Sequence, residues 1–229
     1  MGKEVEKICK NRGYNISYII DNLDQWNEID AIEDSTVVID FSLPEVAVEN
    51  ILRCFKLGIP IVTGTTGWHD QLQEISKQCK ALNGTLFFAP NFSIGVNIFF
   101  RVNEYLAKIM NGMDGYNIRI DETHHIHKLD APSGTAIATA NGIIKNIDRI
   151  KSWSLDQEQK KAVPIYAYRE GEVTGTHDVV YSSDIDNISI RHEAKNRSGF
   201  ALGAVMAAEF INNKKGVYSM NNLLDSILK

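Results

Sequence analysis

The chain has 229 residues, 44% hydrophobic and 23% charged, the profile of a globular protein with one large domain or two modest ones. A formal net charge of −5 with dispersed basic residues argues against a nucleic-acid partner, and no run of about 18 apolar residues offers a membrane span. The start, MGKEVEKICKNRG, lacks the apolar core of a secretory signal, and three distant cysteines, Cys9, Cys54 and Cys79, read as reduced packing residues of a cytoplasmic protein.

Taken in chain order, GKEVEKICKNRG reads as an amphipathic helix ended by Gly13, followed by a strand, YNISYII, closed by Asp21. STVVIDFS is a second strand, and PEVAVENILRCFKLG is a helix with proline near its start and Gly58 just past its end. IPIVTGTTG, a helix over 68–82, and TLFFAP complete the series. Short apolar strands alternating with helices predict an α/β fold, a parallel sheet covered on both faces. A dinucleotide-binding domain of this kind normally opens with a strand and a G-x-G-x-x-G turn ahead of its first helix. Here the sequence reads as if that strand and most of the loop were missing, with Gly2 alone remaining.

After Asn91 the pattern changes. A helix over 94–111 is followed by the strand-like runs YNIRIDETHH, VPIYAYR, HDVVYSS and NISIRHEA, with one helix after Pro132. These predict an α+β unit whose mixed sheet lies open on one face, a surface suited to association with copies of itself. From Ser198 the segment FALGAVMAAEFINNKKG turns helical again and is expected to pack back on the first domain. The expected division is a dinucleotide-binding domain of 1–92 and 199–229, and a substrate-binding and oligomerisation domain of 93–198.

Candidate functional residues fall in three places. Asp21, closing its strand, could accept hydrogen bonds from ribose hydroxyls and would disfavour a 2′-phosphate, although a strand-end turn is the commoner explanation. Gly64-Thr65-Thr66-Gly67 and Ala89-Pro90-Asn91-Phe92 follow apolar strands at their carboxyl ends, where open α/β sheets bind ligands and small residues admit a flat ring.

The third place is ETHHIHKLDAPSGTA, residues 122–136, with three histidines and a lysine within five positions. His124 and His127 at i, i+3 would suit zinc on a helix. Ile118 and Ile120 alternate as in a strand, however, where His125 and His127 share one face and His124 and Lys128 the other. No second ligand cluster appears in the sequence, so no metal is expected. Proton transfer uses the same residues better, His supplying a proton near neutrality and Lys a fixed positive charge. Asp130-Ala131-Pro132-Ser133-Gly134-Thr135 has the form of a helix start, whose amides bind anions. An acid catalyst beside a carboxylated ligand is implied. His69, His177 and His192 are isolated and read as structural or solvated, and the sequence leaves Arg191 and Lys195 undecided.

HHIHKLDAPSGTA, with GTTG upstream, APNFSIGVN between them and FALGAV near the end, resembles the 4-hydroxy-tetrahydrodipicolinate reductases (dihydrodipicolinate reductases) of bacterial lysine and diaminopimelate synthesis. The resemblance runs in matching order over nearly the whole chain. It implies a homotetramer with a Rossmann-type cofactor domain, transferring a hydride from NADH or NADPH to a cyclic dicarboxylate. On that resemblance His124 is the proton donor, Lys128 a second acid and carboxylate contact, His125 a substrate contact, and Gly134 with Thr135 a carboxylate cradle. Gly64, Thr65, Thr66, Ala89, Pro90, Asn91 and Phe92 would line the nicotinamide side, and Asp21 would be the ribose acid, favouring NADH. The family's first strand and glycine loop would precede Met1, so weakened cofactor binding is expected. A non-catalytic homologue that keeps the ligand site is the alternative.

Overall fold

The computed structural model describes residues 1–22, 26, 32, 35–156 and 158–227. Residues 228–229, the end of the expected first domain, fall outside them. The elements run α1 (Gly2–Asn11), β1 (Val38–Asp40), α2 (Pro44–Leu57), β2 (Ile61–Thr63), α3 (Leu72–Ala81), β3 (Thr85–Phe88), α4 (Ile94–Met110) and β4 (Asn117–His124). They continue with α5 (Gly134–Asn146), β5 (Ser152–Ser154), β6 (Ala162–Arg169), β7 (Thr176–Ser182), β8 (Asn187–Glu193), α6 (Ser198–Ile211), β9 (Gly216–Tyr218) and α7 (Met220–Ile227). The chain divides into two compact units, Met1–Ile94 with Ser198–Lys229, and Gly95–Arg197.

The first unit is built on a four-stranded parallel sheet of order β1-β2-β3-β9. Its strands are apolar on both faces, and each face has its own core. Val62 and Phe87 pack with Val5 of α1, the small residues of α6 and Leu223 of α7. Ile61 and Leu86 pack with Ala47, Ile51 and Phe55 of α2 and Ile75 of α3. This double burial is what makes the strands read as unbroken apolar runs. Helix α2 begins on Pro44 and stops at Gly58, whose left-handed φ of 73° lets Ile59 N–H reach back to the Cys54 carbonyl at 3.0 Å. On α6, Gly203 lies so close to the Phe92 backbone that an added Cβ would stand 1.8 Å from the Phe92 carbonyl oxygen. No larger residue fits there.

One expected strand is absent. YNISYII, residues 14–20, is irregular, and Asp21 therefore does not close a strand. A strand exists through its ladder of hydrogen bonds, and among the described residues none pairs with this segment. Tyr14 instead turns its hydroxyl to Glu209 on α6 at 2.8 Å, leaving Tyr18 and Ile19 exposed. Conversely, β9 and the three-residue β5 were not read from the sequence, being too short to carry a pattern.

The second unit holds a five-stranded mixed sheet of order β5-β6-β4-β7-β8, with β4 parallel to β6 and antiparallel to β7. Burial alternates along β4, so Ile118, Ile120, Glu122 and His124 face one side. That side is covered: Ile118 and Ile120 pack against Phe99 and Ala107 of α4 and Ala136 and Ile143 of α5. The opposite side carries charge pairs, Arg119 with Asp121 and Arg191 with Asp178, each at 2.9 Å.

Candidate active site

The apolar row that begins at Ile118 turns polar at Glu122 and His124 without leaving the covered face. Strand register supplies the partners, since Glu122 lies opposite His177 of β7 and His124 opposite Arg169 of β6. Glu122 is fully buried, and an unpaired carboxylate there would cost several kcal/mol. Its oxygens accept the Ser133 backbone N–H at 3.0 and 3.2 Å and the Arg169 guanidinium at 3.3 Å. Oε2 also faces two imidazoles, His124 Nδ1 at 3.5 Å and His177 Nε2 at 3.7 Å.

These surroundings set the two histidines. Burial holds His124 below its ordinary pKa; the Glu122 charge opposes that shift, while Lys128 and Arg169 reinforce it. Its Nδ1 is buried and, among the described residues, makes no hydrogen bond. Burial pushes His177 down to about 3, with the neighbouring His124 adding to the effect, so His177 stays neutral. The Ser133 hydroxyl lies 3.2 Å from His177 Nε2 and accepts the Ala136 N–H at 3.1 Å, capping α5.

Strand β4 stops at His124, which corrects the expected alternation through Lys128. The chain turns instead, with Lys128 N–H donating to the His125 carbonyl at 3.1 Å. Lys128 Nζ pairs with Asp130 at 2.8 Å and holds that carboxyl below its usual range. Arg169 braces the same loop by donating to the Lys128 carbonyl at 3.2 Å. His125 is half-buried, and His127 is exposed beside Glu172 at 3.2 Å. Gly134, the first residue of α5, is exposed with open space where a Cβ would sit, and Thr135 follows it half-buried. The start of α5 is thus tied, through Ser133 and Glu122, to the strand that carries His124.

His177 is not an isolated histidine, as its sequence position implied, but part of this cluster. With Glu122 and His124 it brings three metal-ligand atoms within 4.8 Å of one another. That set could hold a metal ion, yet Glu122 already accepts from an amide and a guanidinium, whose positive charge opposes a dication. The arrangement fits the holding of a proton better. Glu122, Arg169 and His177 were all missed as site residues. The alternation that placed Ile118 and Ile120 on one face would have found Glu122; the others depend on strand register and the path of a loop.

In the first unit, GTTG and APNF follow the adjacent parallel strands β2 and β3 at their carboxyl ends. Thr65 is buried, its hydroxyl donating to Asp40 at 2.8 Å and accepting the Ser42 N–H at 2.9 Å. It shapes the loop from within. Asp40, itself buried, also takes hydrogen bonds from Thr63 at 2.8 Å and Asn50 at 3.1 Å. Gly64 is packed under Phe41, while Thr66 and Gly67 are exposed. Ala89 and Phe92 belong to the core, Pro90 is exposed, and Asn91 accepts the Ser93 N–H at 2.9 Å. Thr66, Gly67 and Pro90 are the exposed residues of these two loops. Asp21 is exposed in an irregular segment.

Residues 1–92 match the family model of the dihydrodipicolinate reductase N-terminus, and residues 95–224 match that of its C-terminus. The chain belongs to the dihydrodipicolinate reductase family. It is 44% identical over 229 residues to the 4-hydroxy-tetrahydrodipicolinate reductase of Christiangramia forsetii, covering 100% of this chain and 95% of that protein. The enzyme of the same name from Methanocaldococcus jannaschii is 38% identical over 210 residues, 86% of this chain and 75% of that one. A solved structure, dipicolinate-bound dihydrodipicolinate reductase from Paenisporosarcina sp. TG-14, shares the fold with a TM-score of 0.73 at 24% identity, covering 91% of this chain and 81% of that one. Family membership makes the chain an oxidoreductase with a nicotinamide-nucleotide-binding domain.

Proposed function

We propose that this chain reduces 4-hydroxy-tetrahydrodipicolinate with NADH or NADPH, in the cytoplasmic synthesis of lysine and diaminopimelate. The observation that carries the reading is the bond from Ser133 N–H to Glu122, which joins an anion-receiving helix start to the strand holding His124. The relatives' names support the substrate, and the dipicolinate in the similar structure is itself a cyclic dicarboxylate.

In this reading residues 95–197 hold the substrate. The α5 N-terminus, at Gly134 and Thr135, receives one carboxylate through backbone amides and the helix dipole. Lys128 adds a fixed positive charge, and His125 contacts the ligand. Loss of water from the substrate leaves a conjugated imine. When bound, the reduced nicotinamide supplies the hydride. The ring then carries enamine character, and His124 protonates the adjacent atom, with Lys128 as a second proton source. The surrounding positive charge favours the electron-rich transition state.

In the first unit, Gly64, Thr65, Thr66, Ala89, Pro90, Asn91 and Phe92 form the nicotinamide side. Asp21 is the ribose acid, which favours NADH. The charged open face of the second sheet is the surface through which four copies assemble.

The test is a coupled assay with freshly prepared 4-hydroxy-tetrahydrodipicolinate. Substrate-dependent oxidation of NADH, with tetrahydrodipicolinate identified by mass spectrometry, is the expected result. NADH binding without turnover would leave the non-catalytic homologue instead.

A further inference from the structure

We propose that Glu122 is a positioning residue for proton delivery, holding His124 with its Nδ1 hydrogen directed at the carboxylate so that the transferable proton leaves from Nε2. The inference rests on His124 being the proton donor. In the step, the Nε2–H bond breaks and its electron pair stays on the ring. The proton joins the electron-rich atom of the reduced substrate, and the imidazole is left as the neutral Nδ1–H tautomer.

Several observations support this assignment. Glu122 and His124 lie two residues apart on the same buried face of one strand, which places the carboxylate beside the ring. Oε2 stands 3.5 Å from Nδ1, an ion-pair distance that a small ring rotation turns into a hydrogen bond once the ring is charged. The carboxylate is itself immobilised by the Ser133 amide and Arg169. The other imidazole on Oε2, His177, remains neutral and does not compete for the proton.

The charged and titratable groups around His124 come from every neighbouring element: Glu122 on β4, Lys128 and Asp130 on the loop after it, Arg169 on β6 and His177 on β7. Lys128 and Arg169 oppose protonation, whereas Glu122 and Asp130 favour it. Removing the Glu122 charge leaves His124 facing two cations with only the exposed Asp130 against them.

The experiment uses the full chain with Glu122→Gln, which keeps the shape and a carbonyl for the Ser133 amide. The His124 ring is followed by NMR with ¹³C-labelled histidine, alongside the pH dependence of kcat. We expect His124 to titrate about one pH unit lower or more, as loss of an opposite charge at this range implies. Turnover at neutral pH should fall roughly 10- to 100-fold, the scale of general acid catalysis, with KM nearly unchanged and partial recovery as pH is lowered. An unmoved His124 titration in folded Glu122→Gln protein overturns the inference. Should that variant not fold, Glu122→Asp, which withdraws the charge by one methylene, must show a smaller shift of the same sign, and no shift again overturns it. Undiminished turnover in His124→Asn would sink the donor assignment itself. An inactive His124→Asn with an unmoved Glu122→Gln titration sinks the positioning role alone.

Discussion

Gly175 leans against His124: a Cβ on Gly175 would stand 3.0 Å from Nε2 of that ring. The missing side chain therefore leaves open the nitrogen that faces away from Glu122. Gly175→Ala should press a methyl on Nε2 and displace the ring, lowering kcat roughly 10- to 100-fold, the scale of a small misplacement of a reacting group. NADH affinity should not change. Steady-state kinetics with a fluorescence titration of NADH checks both halves.

The α5 N-terminus gives a prediction of the opposite kind. Gly134 is exposed and has nothing within 4 Å of where its Cβ would lie, so a side chain there disturbs no packing. Gly134→Val should leave the melting temperature within a degree or two, yet raise KM for the dicarboxylate about tenfold or more by blocking backbone amides that bind an anion. A KM equal to that of the wild type would remove the carboxylate cradle from this helix.

Acid stability should depend on His177. Its pKa falls from 6.5 in the unfolded chain to about 3 in the fold. Between those values the unfolded state binds the extra proton, so the contribution is full above about 6.5 and is lost as pH drops toward 3. The slope from one such group is at most about 1.4 kcal/mol per pH unit. His124 and His192, also lowered, add in the same direction. Thermal melts of His177→Gln should fall less steeply below pH 6.5 than those of the wild type. Parallel curves would contradict the assignment.

In the first unit the test lies in packing. A Cβ on Gly64 would stand 2.0 Å from the Phe41 ring, whose centroid is 5.8 Å from that of Phe92 in the second loop. Gly64→Ala must push Phe41 aside, costing about 1–3 kcal/mol as overpacking does. It should also weaken NADH binding, because both loops move together. Adding Phe41→Leu should recover stability; a double variant no more stable than Gly64→Ala would show that Phe41 is not what Gly64 accommodates.

Much of this was readable in the residues. Pro44 and Gly58 mark the ends of α2, and the doubly buried runs around Val62 and Phe87 announce a parallel sheet covered on both faces. The motif at His124 was plain in the sequence, as was the start of α5. What surrounds His124 was not, because His177 and Arg169 reach it through the register of β7 and β6 on β4, which no local pattern encodes. Asp40 was invisible for the same reason: its partners Thr63 and Thr65 come from the neighbouring strand and loop. The misreading of residues 14–20 shows the converse, since apolar β-formers make no strand without a partner.

The most direct test of the whole account is a single-turnover measurement with enzyme in excess over 4-hydroxy-tetrahydrodipicolinate, comparing the wild type with His124→Asn at saturating NADH. Rapid formation of tetrahydrodipicolinate in the wild type, followed by quenched flow and mass spectrometry, should slow by about 10²- to 10⁴-fold in the variant, the range for losing a general acid, with NADH affinity unchanged. Equal rates in the two proteins would contradict it, because the proton would then come from somewhere other than the cluster at the end of β4.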